Sequence, residues 1–238
     1  VRVFVLTGAG ISAGSGLGTF RDAGGIWARF DPVKLATPAA FAADPGRVHD
    51  FYNTRRRAML AAGPNAAHFA LAELGEGLRT DGGALFLCTQ NIDDLHERAG
   101  SRAVHHMHGR ICRALCGACR VTVEWRGDLG VGDHCAACGR SGTLRPDVVW
   151  FGEMPYDMPE IEAALARADL FVAIGTSGAV YPAAEFVEIA RTMGILTLEF
   201  NLEKSANAHL FDESVYGPAV ESVPRFVARL LGTGDAGA

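Results

Sequence analysis

Short runs of consecutive apolar residues recur along the chain: Val1 to Thr7 (VRVFVLT), Ala84 to Thr89 (ALFLCT), Leu170 to Ile174 (LFVAI) and Ile195 to Phe200 (ILTLEF). Runs of this length bounded by glycine or polar residues predict strands buried on both faces. Between them the pattern changes to helical spacing. Val48 to Ala62 predicts one helix and Asn65 to Leu74 another, with Gly63-Pro64 separating them. A helix is predicted over Ile92 to Arg98, followed by a short stretch, Ala103 to His108. Pro182 to Met193 predicts a helix with Pro182 at its first position and Gly194 just past its end. The last helix is expected over Glu221 to Leu231, before a Gly/Ala tail. Strands alternating with helices imply an α/β fold: a mostly parallel sheet with helices on both faces. The gap between the first two strands is about 70 residues, too long for a simple connection, so it must carry helices of its own.

Composition narrows this little. Of 238 residues, 49% are hydrophobic and 21% charged, as in an ordinary globular protein. A formal charge of -5 argues against a nucleic-acid partner and leaves small anionic ligands open. No apolar run reaches membrane-spanning length and no signal-peptide pattern opens the chain, so a cytoplasmic protein is expected. The chain starts at Val1, so an initiator Met and a short leader are expected to precede it.

Cysteine spacing changes the picture. Cys116, Cys119, Cys135 and Cys138 form two C-x-x-C pairs. Without export signals this pattern reads as a zinc site. Four thiolates complete a tetrahedral shell and leave no open position, so the ion is expected to be structural. His134 adjoins Cys135 but is expected at the surface; Cys88 is expected in the core and Cys112 as a free thiol. The cysteine segment interrupts the α/β alternation and reads as an inserted module. Upstream, Gly8-Ala9-Gly10-Ile11-Ser12-Ala13 matches the G-x-G-x-x-G/A pattern directly after a strand. Glycine lets the backbone approach a pyrophosphate, and a helix start offers unpaired N–H groups. No second strand ending in Asp or Glu follows about 20 residues later, which disfavours a hydride-transferring dehydrogenase.

These segments gain meaning together. GAGIS at 8–12, TFRD at 19–22, TQNID at 89–93, HG at 108–109, the four cysteines and GTS at 175–177 occur in this order. The ordered set closely resembles the sirtuin family of NAD-dependent protein deacylases, from Val1 to about Leu231. The resemblance implies a Rossmann-like NAD-binding domain (1–29, 80–109 and 144–238), a helical insertion (30–79) and a zinc-ribbon module (110–143). It places Gly8, Ala9, Gly10, Ile11, Ser12, Thr19, Phe20, Arg21 and Trp27 around the pyrophosphate and nicotinamide side of NAD. Gln90, Asn91, Ile92 and Asp93 would hold the nicotinamide ribose and carboxamide, with Asn91 also counted as catalytic. Gly175, Thr176 and Ser177 would face phosphates and adenine ribose, and Asn201, Leu202, Glu203 and Ala219 the adenosine. His108 would be the general base. The family reaction consumes NAD: nicotinamide leaves, the acyl oxygen attacks the ribose, and 2′-O-acyl-ADP-ribose and free lysine result. Acylated-lysine proteins are the implied partners, bound as an added strand along Val148, Val149, Trp150, Phe151 and Gly152. A monomer is expected.

The acyl preference rests on Tyr52 and Arg55, three residues apart and so on one helix face. Arg55-Arg56-Arg57 could equally be a solvated charge run. One sirtuin subclass carries Tyr-x-x-Arg here and removes succinyl and malonyl groups, and Ala36 matches its small residue beside the acyl chain. A guanidinium and a phenol suit a carboxylate. Desuccinylase and demalonylase activity is therefore expected, alongside deacetylation. Gly14 and Gly18 depart from the pattern, where many relatives carry Glu and a larger residue. They are expected to loosen the cofactor loop and weaken NAD binding. Two rival readings are a protein ADP-ribosyltransferase on the same site and a non-catalytic NAD-sensing module.

Overall fold

The computed structural model describes residues 1–18 and 35–233. Thr19, Phe20, Arg21 and Trp27 lie outside the described residues, as does the C-terminal tail. Six parallel strands form the main sheet in the order β3-β2-β1-β7-β8-β9. They are β1 (Arg2–Thr7), β2 (Ala84–Thr89), β3 (Val104–His106), β7 (Leu170–Ile174), β8 (Leu196–Asn201) and β9 (Glu213–Tyr216). This is the expected parallel sheet with helices on both faces. Successive strand residues point to opposite sides. Val3 and Val5 of β1 and Leu170, Val172 and Ile174 of β7 therefore meet one helical layer. Phe4, Leu6, Phe171 and Ala173 meet the other.

The first layer is α4 (Ala66–Thr80) with α8 (Ala219–Leu230). Leu71 and Leu74 of α4 and Val223, Phe226 and Val227 of α8 are buried there. The second is α6 (Met158–Leu165) and α7 (Phe186–Thr192), which bury Ile161, Leu165, Phe186 and Val187. Each such side chain removed from water contributes about 1.5–3 kcal/mol. Residues 66–80, at the end of the expected 30–79 helical insertion, form α4, whose apolar stripe shares a buried cluster with β1 and β2. The separate helical part consists of α2 (Pro38–Ala43) and α3 (Pro45–Ala61), whose buried residues join a third cluster.

Helix ends follow local chemistry. α3 starts three residues before its predicted start, because Asp44 Oδ1 accepts the Arg47 N–H at 3.0 Å and Pro45 stands in the first turn. Asn65 caps α4, and His68 Nδ1 returns a bond from the Asn65 amide, completing a reciprocal box. The helix expected over Ile92 to Arg98 shrinks to α5 (Leu95–Arg98), since Asp93 Oδ1 instead caps the Leu95 amide. Pro182 precedes a single 3-10 turn, Ala183–Glu185, ahead of α7. Gly194 closes α7 with φ 73°.

A second sheet is antiparallel, in the order β5-β4-β6: β4 (Gly109–Cys116), β5 (Thr122–Glu124) and β6 (Leu144–Val148). It takes in residues on both sides of the expected 110–143 module, because β6 pairs with β4 rather than joining the large sheet. Among the described residues no helix is long and apolar enough to cross a membrane.

The turn after β1 packs closely on the turn after β7. A Cβ on Gly10 would stand 2.6 Å from Gly175 Cα, and Gly175 itself has φ 63°. Gly10→Ala is expected to cost about 1–3 kcal/mol, read as a lower urea midpoint at unchanged slope. An unchanged midpoint would mean that the two turns are not packed as described.

Candidate active site

The strand order places a switch point between β1 and β7: the chain leaves one toward β2 and the other toward β8. In open α/β sheets, ligands bind in the crevice outside the C-terminal strand ends at such a point. Gly8 N–H donates to Ile174 O and Gly10 N–H to Gly175 O, both at 2.9 Å, stitching the two turns together. The short helix α1 (Ala9–Ala13) begins immediately, two residues earlier than the expected start at Ile11. Thr176 is buried, and Asn201 Nδ2 donates to its carbonyl at 2.7 Å. Leu202 and Glu203 are exposed past the end of β8, and Gly217 N–H bonds Asn201 O just before Ala219 opens α8. Residues 8–12, 90–93, 175–177 and 201–203 therefore share one edge. Gly14 closes α1, and a Cβ there would meet Val220 Cγ1 at 2.5 Å. The glycine thus permits α8 to approach α1.

Beneath this edge lies a buried polar network. Asn91 Nδ2 donates to Gly8 O and to Ser12 Oγ, each at 3.2 Å, and Ser12 Oγ donates to Asp93 Oδ2 at 3.0 Å. Thr89 Oγ1 accepts the Asn91 amide at 3.0 Å and the Thr7 hydroxyl at 2.8 Å. His96 Nε2 lies 3.0 Å from Thr7 Oγ1, and His68 Nε2 lies 3.4 Å from Ser12 Oγ. Burial raises the Asp93 carboxyl, and the bonds from Leu95 N–H and Ser12 O–H hold it back. Burial pushes His68 down to about 4 and His96 well below its ordinary value, so both imidazoles are neutral near pH 7. Thr7, Thr89, His68 and His96 were not singled out from the sequence. The polar ends of two paired apolar strands, and a histidine three residues after an Asn cap, were the available signals.

His108 stands between the two sheets, half-buried, directly before β4. Its Nδ1 is 3.0 Å from Gln90 O. A carbonyl only accepts, so Nδ1 carries the proton and Nε2 keeps its lone pair. Burial lowers the pKa of His108, against the opposing effect of the Gln90 carbonyl. A neutral imidazole with one free acceptor nitrogen is equipped to take a proton. Around it, the carboxamides of Gln90 and Asn91, the Asp93 carboxylate and the start of α1 offer donors and acceptors suited to ribose hydroxyls, a carboxamide and phosphates. That donor set fits NAD.

Next to this edge, Tyr52, Phe51, Val148, Trp150, Ile111 and Cys112 form an apolar cluster, with Leu17, Ala36 and Ile92 packed against it. The three arginines fan out as helical geometry demands. Arg57 is exposed beside Asp128, Arg56 is buried and donates to Ile111 O at 2.8 Å, and Arg55 is half-buried. The Arg55 guanidinium carbon lies 5.9 Å from the Tyr52 ring centroid. Burial lowers the pKa of Arg55, opposed by the charges of Tyr52 and Asp93. The run is not a uniformly solvated face. Along the segment expected to take a peptide, Phe151 and Gly152 are exposed, but Trp150 is buried. The amides of Val149 and Phe151 donate to His108 O and Ala36 O, each at 2.9 Å, and that of Trp150 to Glu153 Oε2.

At the far end of β4 the four cysteine sulfurs all lie within 4.8 Å of one another. Cys116 and Cys138 Sγ are 3.8 Å apart, and Cys119 and Cys135 Sγ 3.7 Å. A zinc tetrahedron with bonds of about 2.3 Å has an edge of about 3.8 Å. The four cysteines are positioned to bind a zinc ion. His134 is exposed and outside the group, and Cys88 and Cys112 are buried free thiols, as expected.

The parallel sheet, the crevice at its switch point and the cysteine module together define one class of protein. Residues 8–182 match the Sir2 family, and the chain belongs to it. An NAD-dependent protein deacylase of Caulobacter vibrioides is 60% identical over 231 residues, covering 97% of each chain. A solved complex of a Sir2 homologue with NAD superimposes with TM-score 0.84 at 38% identity, covering 97% of this chain and 90% of that one. Sir2 bound to an acetylated peptide does so with TM-score 0.79 at 28% identity, covering 98% and 94%.

Purified protein is expected to carry one equivalent of zinc by elemental analysis. Cys135→Ser, at the buried end of the second pair, should lose the metal and unfold at a lower temperature. Full thermal stability in metal-free protein would refute a structural role for the ion.

Proposed function

We propose that this chain is an NAD-dependent protein-lysine deacylase that removes succinyl and malonyl groups as well as acetyl. The family membership and the Caulobacter relative support the coarser activity. One observation carries the catalytic assignment: His108 Nδ1–H donates a hydrogen bond to the Gln90 carbonyl, which leaves the Nε2 lone pair as a base. NAD supplies an electrophilic ribose carbon once nicotinamide departs, and is consumed, giving nicotinamide, 2′-O-acyl-ADP-ribose and free lysine. His108 would accept a proton from a ribose hydroxyl. Asn91 and Asp93, held by Ser12 and by backbone groups, would orient the ribose and carboxamide. Gln90 would contact the same part. The turn at Gly8 to Ser12 would face the pyrophosphate, and Gly175 to Ser177 the phosphates and adenine ribose. Asn201, Leu202, Glu203 and Ala219 would bind the adenosine.

Acylated-lysine proteins would dock along Val148 to Gly152, by analogy with Sir2 bound to an acetylated peptide. Most amides there already have partners, so the carbonyls and the exposed Phe151 would give most of the contact. The acyl chain would enter the cluster beside Ala36, with its carboxylate end toward Tyr52 and Arg55. We expect a cytoplasmic monomer.

A peptide carrying acetyl-, malonyl- or succinyl-lysine, followed by mass spectrometry with and without NAD, tests both levels. His108→Ala should reduce NAD-dependent acyl loss by about a hundredfold or more. Because burial lowers the pKa of His108, kcat/KM should stay level as pH falls to about 6.5 and decline only below it, as the imidazole protonates. ADP-ribose transferred to protein in place of released acyl-ADP-ribose would favour the transferase reading.

Arg55→Met should lower desuccinylation relative to deacetylation by about tenfold or more. Equal losses on both acyl groups would discard the carboxylate assignment while leaving the deacylase in place.

A further inference from the structure

Among the described residues the Tyr52 hydroxyl has one hydrogen-bond partner, and it is distant in sequence. Trp150 Nε1 lies 3.0 Å from Tyr52 Oη, deep in the cluster that also contains Val148 and Ile111. Indole N–H can only donate, so Tyr52 Oη accepts, and its own proton must point elsewhere. Among the described residues no acceptor meets that proton. Burial raises the pKa of the phenol, against the opposing charge of Arg55, so the proton is retained at neutral pH.

Trp150 is itself fixed on several sides. The Arg145 guanidinium carbon stands 3.7 Å from the indole centroid. Arg145 is pinned by two parallel bonds to Glu153, at 2.7 and 2.8 Å, and by one to Val148 O at 3.0 Å. Glu153 also accepts the Trp150 amide at 2.9 Å. Phe41 lies 5.3 Å from the indole by ring centroids. Phe151 N–H bonds Ala36 O, which ties the following residue to the wall of the same cluster. The indole therefore has no freedom to release Tyr52 by rotating.

We propose that Trp150 is a positioning residue for acyl-group selection: its N–H fixes Tyr52 as a donor toward the carboxylate end of the acyl chain. This rests on the acidic-acyl reading of the same pocket. An acyl group with a terminal carboxylate would accept the phenol proton, whereas an acetyl group would leave it without an acceptor among the described residues. A site built around an oriented donor discriminates against ligands lacking the matching acceptor. Without the Trp150 N–H, the Tyr52 proton would be free to rotate, and that discrimination would weaken. The assignment gives the Trp150 side chain a role beyond backbone docking of the peptide, since the residue is only 2% exposed.

The test compares kcat/KM for succinyl- and acetyl-lysine peptides. The variants are Trp150→Phe, Tyr52→Phe, the double substitution, and a protein with benzothienylalanine at position 150. The last keeps the bicyclic ring and removes only the N–H, so it remains informative if Trp150→Phe fails to fold. The succinyl-to-acetyl ratio is expected to fall about tenfold on loss of the N–H. In the Tyr52→Phe background the same change should have no further effect on the ratio. A ratio unchanged by benzothienylalanine, or one that falls equally with and without the Tyr52 hydroxyl, would overturn the proposal. If Tyr52→Phe and Arg55→Met themselves leave the ratio unchanged, the acidic-acyl reading fails first. If they lower it and the isostere does not, only the role of Trp150 fails.

Discussion

The structure depends on how closely two turns approach at the centre of the sheet. β1 and β7 are neighbours, and both end at the same height, so the chain must turn away from each in a different direction within a few ångströms. Only glycine backbones fit: a Cβ on Gly8 would lie 2.7 Å from Gly175 O. Two backbone hydrogen bonds, from the amides of Gly8 and Gly10, fix their separation. The crevice is what remains above this contact. Because the walls are backbone rather than side chain, the edge is set by the sheet itself and does not rely on rotamers. The polar network beneath it then has a fixed frame, and Asn91 can reach both the Gly8 carbonyl and Ser12.

That network is costly to bury and is therefore almost fully paired. Unpaired buried polar groups cost roughly 1–3 kcal/mol each. Here, hydroxyls of Thr7, Ser12 and Thr89 relay between carboxamide, carboxylate and imidazole groups. His96 Nδ1 is an exception, a buried nitrogen without a hydrogen-bond partner. Burial, and after it the neighbouring imidazoles of His68 and His106, make its affinity for a proton low. Rigidity at the crevice floor thus comes from a set of groups that cannot easily change charge or partner.

Much of this was legible from residue patterns. The buried strands were readable because apolar runs flanked by glycine have few other uses, and the bounds of β2 and β7 match their runs. Helix starts were less legible where caps compete with periodicity. Asp44-Pro45 carried the signal for α3, but the apolar pattern begins later, at Val48. Residues 92–94, expected inside the helix, stay outside it because Asp93 bonds Ser12 and the Leu95 amide. Which surface α4 packs on was not legible, because an amphipathic stripe does not name its partner. Cysteine spacing gave the metal site because short chelating loops constrain geometry locally. The Trp150–Tyr52 bond spans 98 positions, and no local pattern announces it.

β4 joins two anchored ends. Its first residue follows His108, and its last is Cys116, a distance of about 25 Å for an extended strand of this length. In between, Ile111 and Ala114 face buried clusters, and a register shift against β6 falls between Arg110 and Ala114. The strand therefore acts as a spacer of fixed length. Deleting one residue would either turn these side chains to the opposite face or drag the four-cysteine cluster toward the crevice. Over evolutionary time, insertions and deletions should therefore spare β4, even where its exposed side chains change.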